Sequence, residues 1–137
     1  MCKKGDIILV RTYKDGNYNL SQHSFVVIED EGGCVCGLTY DLVALVMSSF
    51  KSEEQRKQKL KYPGNFELLP EDKDMQPWAN SKSGYIKAEQ FYYFDKSKLD
   101  YTVIGMLTDN AWDALVDFIE ALPERGVEIQ QVLDNLS

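Results

Sequence analysis

The chain has 137 residues, 44% of them hydrophobic and 12% aromatic, which is enough for one domain with its own core and too apolar for a disordered chain. No stretch approaches the roughly 20 apolar residues of a membrane span, and residues 1–6 run into a strand pattern without room for a signal peptide, so a cytoplasmic protein is expected. The net charge of −7 argues at first sight against a polyanionic partner, but its distribution reopens that possibility. Residues 109–137 hold seven acids against one base, a net of −6, so the first 108 residues carry only −1. Between residues 51 and 61 five bases face two acids.

In chain order, Gly5-Asp6-Ile7-Ile8-Leu9-Val10-Arg11-Thr12-Tyr13 reads as a first strand, and Lys14-Asp15-Gly16-Asn17 as a turn opening a mobile polar loop that reaches Gln22. His23-Ser24-Phe25-Val26-Val27-Ile28-Glu29-Asp30 follows, with four apolar residues in a row suited to a pleated, buried strand. His23, the only histidine of the protein, stands at its entrance. After Gly32-Gly33, residues 34–40 read as a third strand in hairpin relation to the second. The run Leu42-Val43-Ala44-Leu45-Val46-Met47, ending at Ser48-Ser49, suits a strand or a short helix by pattern alone, and the short strands around it favour a strand.

Residues 52–61 are polar and rich in helix formers, and Pro63-Gly64 stops them, which suits a helix of one or two turns or a charged excursion. Residues 65–69 alternate as a short strand. From Pro70 to Gly84 the composition is that of a loop, with Trp78 either stacking on a base or anchoring the loop by packing. Residues 85–94 read as one long strand and 101–107 as the last. The period then changes: Trp112, Leu115, Val116, Ile119 and Leu122 form one stripe of an amphipathic helix capped by Thr108 or Asp109 and ended by Pro123. Residues 127–136 suit a short closing helix. Together these elements predict a mainly β domain over residues 1–137, a strongly bent barrel of about six to seven strands closed by a C-terminal helix.

Three cysteines, an odd number, argue against a secreted disulfide framework. Cys34 and Cys36, with Cys2 and His23, could supply a Cys3His zinc set, but the usual C-x2-C knuckle is missing and reduced cysteines without a metal are expected.

Several of these segments, in this order, resemble the MazF/PemK-like toxins of toxin–antitoxin systems. Lys4-Gly5-Asp6-Ile7-Ile8-Leu9-Val10 is similar to the family's opening strand, and residues 23–30 fall where the family has Arg-Pro and a valine-rich strand. Val46-Met47-Ser48-Ser49 resembles a strand ending in Thr-Ser. Gly84-Tyr85-Ile86-Lys87-Ala88-Glu89-Gln90 resembles a segment ending in Asp-Gln, and Ile104-Gly105-Met106-Leu107 resembles the strand before the closing helix. The resemblance implies an SH3-like barrel and, without a cofactor, cleavage of single-stranded RNA by attack of the ribose 2′-hydroxyl on its neighbouring phosphate. It also implies a homodimer that an antitoxin segment neutralises, with no membrane partner.

The family's catalytic arginine is replaced here by His23, and its threonine matches Ser48 or Ser49. The implied catalytic set is therefore His23, Ser48, Ser49 and Arg11, with Arg11 supplying charge to the phosphate if it faces the same way. Lys14, Gln22, Lys51, Trp78, Lys87 and Gln90 are the implied RNA contacts. The alternative is a non-catalytic RNA- or protein-binding module on the same fold, in which His23 is a structural residue. Convergence of His23 with a serine in a polar cleft favours the enzyme, and burial of His23 against apolar side chains favours the module.

Overall fold

The strand Leu42–Ser49 is the spine of the molecule, because every residue from Leu42 to Val46 is buried and strands flank it on both sides. A computed structural model describes residues 2–11, 13–15, 18–20 and 22–136, with the backbone alone for Tyr13–Asp15 and Tyr18–Leu20. The elements in order are β1 (Asp6–Val10), β2 (Tyr13–Asp15), β3 (Tyr18–Leu20), β4 (His23–Glu29), β5 (Gly33–Val35), β6 (Leu38–Tyr40), β7 (Leu42–Ser49) and α1 (Glu53–Lys59). There follow β8 (Asn65–Leu68), β9 (Lys73–Met75), β10 (Gly84–Lys87), β11 (Gln90–Phe94), β12 (Tyr101–Leu107), α2 (Asp109–Glu120) and β13 (Gln130–Val132). The protein is mainly β, with one curled sheet of nine strands.

Along the sheet the order is β13-β11-β7-β4-β1-β12-β9, with β10 pairing β7 and carrying β8 at its other edge. All neighbours are antiparallel except β13, which runs parallel to β11. Alternate residues of the central strands enter two different cores. Ile8, Val10, Phe25, Val27, Ala44 and Val46 join Tyr92 and Phe94 on one side. Ile7, Val26 and Leu45 join Leu68, Ile86, Ile104 and the α2 residues Ala111 and Leu115 on the other. Burial on both faces explains why β4 and β7 read as continuous apolar runs instead of alternating ones.

Three expectations need correction. Residues 34–40 are a separate hairpin, β5–β6, and do not pair with β4. Cys36 and Gly37 sit at its turn with φ of 49° and 78°, the left-handed pair that a two-residue primed turn needs. Residues 85–94 are two strands on one line: β11 pairs the first half of β7 and β10 the second, and the chain leaves the ladder at Ala88, whose N–H goes to the Gly64 carbonyl (2.9 Å). Residues 127–136 form no helix of regular length; they give β13 and a single 3-10 turn at Asp134–Leu136. Leu136 is buried, and the Asn135 carboxamide accepts from the Asp95 N–H (2.9 Å), so this segment packs as a strap.

Other expectations agree with the structure. β7 is a strand, α1 is a two-turn helix capped by the Ser52 hydroxyl, and Thr108 Oγ1 caps α2 by accepting from Ala111 N–H at 3.2 Å. Gly16 and Asn17, from the expected turn after Lys14, lie outside the described residues, while their flanks pair as β2–β3. No helix among the described residues is long and apolar enough to cross a membrane.

Candidate anion-binding cavity

The β1, β4 and β7 ends nearest His23 and Ser49 form one wall of a cavity of about 630 Å³, with β8, β9 and the loop 76–83 around the rest. Its apolar floor comes from Ile7, Leu9, Leu68, Met75 and Ile104. A bulge in the β1–β12 ladder helps build that floor: Ile7 pairs Gly105 and Ile8 pairs Val103, so Ile104 is the extra residue between them. Gly84 brings β10 close to β7; a methyl group there would collide with the Ser48 carbonyl oxygen and crowd the Ser49 Cα.

The cavity gathers six of the residues expected from the sequence: Gln22, His23, Ser48, Ser49, Lys51 and Trp78. His23 opens β4 opposite Val10 and is half-buried at the rim. On β4 it shares the face of Phe25 and Val27, whereas Ser24 shares the cavity face with Val26. On β7 the same alternation puts Ser49 on the face of Met47 and Leu45, with Ser48 on the opposite one. Trp78 stands on the loop with 64% of its surface exposed.

Three expected residues, Arg11, Lys87 and Gln90, do not join this set. Arg11 is absent from the lining: its guanidinium donates to Asp100 Oδ1 at 3.3 Å and its N–H to the Asp100 carbonyl at 2.9 Å. Lys87 ends β10 opposite Asn65, and Gln90 Nε2 donates to Gln130 Oε1 (3.5 Å), fastening β13. The Lys14 side chain lies outside the described residues. Of the five bases between residues 51 and 61, only Lys51 reaches the cavity; Arg56 donates to Glu67 of β8 (2.6 Å), which binds α1 to β8, and to Glu53 within α1 (3.1 Å).

Sequence reasoning missed Ser24, Lys73, Asn80 and Lys82. Lys73 and Met75 face the cavity at alternate positions of β9, a three-residue strand in a stretch whose composition is that of a loop. The Lys73 ammonium donates to the Lys82 carbonyl at 2.8 Å, and the Asn80 Oδ1 accepts from the Lys82 N–H at 2.8 Å, so the loop is tied to β9. Burial pushes the Lys73 pKa down, partly offset by Asp72.

The electrostatics of the lining are one-signed. Among the described lining residues Lys51, Lys73 and Lys82 are cationic, His23 stands with them and no Asp or Glu is present, although the chain as a whole carries −7. Cations above an apolar floor act through a low dielectric, which favours an anionic ligand. The volume suits one of nucleotide size. The Cys3His alternative finds no assembled set: Cys2 is buried in the first core, Cys34 and Cys36 are exposed on the hairpin, and among the described residues no three His, Cys, Asp or Glu side chains come together. No family model matches the sequence, and no curated protein matches it.

Proposed function

We propose that the protein is a MazF/PemK-like toxin, an endoribonuclease that cuts single-stranded RNA in the cytoplasm without a metal and is neutralised by an antitoxin segment. The observation that carries this reading is a cavity with no acid among its described lining residues, in which three lysines, the single histidine and the ends of two serine-bearing strands meet in an otherwise acidic molecule. In this reading the curled sheet is an SH3-like half-barrel with α2 as its closing helix, and the active unit is a homodimer.

The chemistry needs a base for the ribose 2′-hydroxyl, a proton for the leaving 5′-oxygen and positive charge on the phosphorane. His23 moves the proton, Ser49 on the cavity face and Ser48 beside it donate hydrogen bonds to phosphate oxygens, and the lysines hold the charge. Gln22 and Lys51 contact the strand on either side of the scissile phosphate, while Trp78 stacks on a base. The products are a 2′,3′-cyclic phosphate and a 5′-hydroxyl, so atoms balance without water or cofactor.

A long, mostly unpaired RNA incubated with the protein in EDTA tests this. Cuts bearing 5′-hydroxyl ends are expected, and His23→Ala should slow them by about 10²–10⁴-fold. Intact RNA with well-folded protein overturns the nuclease reading. One observation favours a second reading, a binding module without chemistry: His23 lies on the strand face of Phe25 and Val27 and not on that of Ser24. RNA binding that survives without cleavage would select it.

A further inference from the structure

The family position that would hold an arginine carries His23, and Arg11 is engaged with Asp100, so the charge needed at the phosphate must come from elsewhere. Lys51 and Lys82 are exposed and lose much rotamer freedom when they bind. Lys73 differs from both. It is half-buried on a paired strand whose register is fixed by Leu107, Met106 and Gly105, and its ammonium is held in one place over the apolar floor. Its hydrogen-bond acceptor is a neutral backbone carbonyl, and among the described residues it makes no ion pair; the pairs there belong to Arg11 and Arg56.

We propose that Lys73 is the phosphate-binding cation of the cavity and that its ammonium exchanges the Lys82 carbonyl for a phosphate oxygen when the ligand enters. This rests on reading the cavity as a phosphate site. A hydrogen bond from an ammonium to an ionised oxygen is shorter and roughly twice as strong as one between neutral groups, so the exchange favours the anion. The apolar floor on one side of the ammonium adds to the gain. Burial disfavours the charged amine, and the attraction of an arriving oxyanion offsets that cost. Among the described residues, Asp72 next to it in the chain, Lys82 at the acceptor, and Lys51, His23 and Tyr85 elsewhere in the lining are the charged or titratable groups around it.

The exchange also has a consequence for the loop. Three bonds tie residues 76–83 to the body: Gln76 N–H to the Ile104 carbonyl, Phe50 N–H to the Ser83 carbonyl, and Lys73 to Lys82. Loss of the third leaves the loop held at its two ends by the first two.

Calorimetric titration of the full chain with pyrophosphate tests the assignment in the native protein, Lys73→Met and Lys73→Arg. Pyrophosphate should bind the native protein, and Lys73→Met should weaken it by about tenfold or more. Lys73→Arg should keep most of the affinity and move its alkaline loss to higher pH, because a guanidinium stays charged where an amine does not. A purely structural lysine would give no such shift. Native affinity in Lys73→Met, or no binding by the native protein, overturns the proposal. Should Lys73→Met fail to fold by near-ultraviolet circular dichroism, Lys73→Gln carries the same comparison. RNA cleavage in EDTA, measured on the same samples, separates the two ideas. Cleavage with unaltered pyrophosphate binding in the variant removes Lys73 and keeps the nuclease, whereas Lys73-dependent binding with intact RNA does the reverse.

Discussion

At the scale of single residues, the cavity divides its side chains by how firmly they are held. Lys73 is anchored on a strand, whereas Trp78 projects from the loop with most of its ring in solvent. A large aromatic left that exposed gives the fold little by burial, so Trp78→Ala should change the unfolding free energy by less than about 0.5 kcal/mol. Stacking on a base is worth about 1–3 kcal/mol, so the same variant should bind a short oligouridylate about 5- to 150-fold more weakly by fluorescence anisotropy. Equal affinity would leave Trp78 without a role in the site. Residue identity also decided what could be read from the chain. His23 was visible as the only histidine, but Lys73 was one lysine among many until β9 aimed it inward. Arg11 could not be excluded from sequence, because Asp100, its partner, is 89 residues away.

At the scale of elements, apolar content governed what was legible. β4 and β7 bury both faces, so their apolar runs announced them. β9 and β13 are three residues each, set in polar sequence, and no periodicity can appear over so short a span. The β5–β6 turn was hidden for a different reason: Cys-Gly occupies a position where Asn-Gly is the usual signal. α2 was legible throughout, with its stripe and cap, and its packing invites a measurement. Thr108 satisfies one of the helix's open N–H groups, and Ala111 and Leu115 of the same helix are buried in the second core. Thr108→Ala should therefore lower stability by about 1 kcal/mol, read as a shifted urea midpoint with an unchanged slope. An unshifted midpoint would mean that packing alone holds the helix start.

At the scale of the whole molecule, charge is segregated. Residues 109–137 carry −6 and contribute no acid to the cavity lining, where three lysines stand instead. Binding of single-stranded RNA should then depend only modestly on salt. With about 0.7 counterions released per neutralised phosphate, three lysines give a slope of log K against log salt near −2, measurable by repeating the anisotropy titration from low to moderate salt. A much steeper slope would place further basic residues in the contact. The open edges of the sheet have a consequence of their own. β8, β9 and β13 each pair on one side only, and they are four, three and three residues long. Edges that short give a neighbouring chain too few free ladder groups to template on, which protects the curled sheet from edge-to-edge aggregation. Strand addition at these three edges therefore offers a second copy of this chain little to pair with.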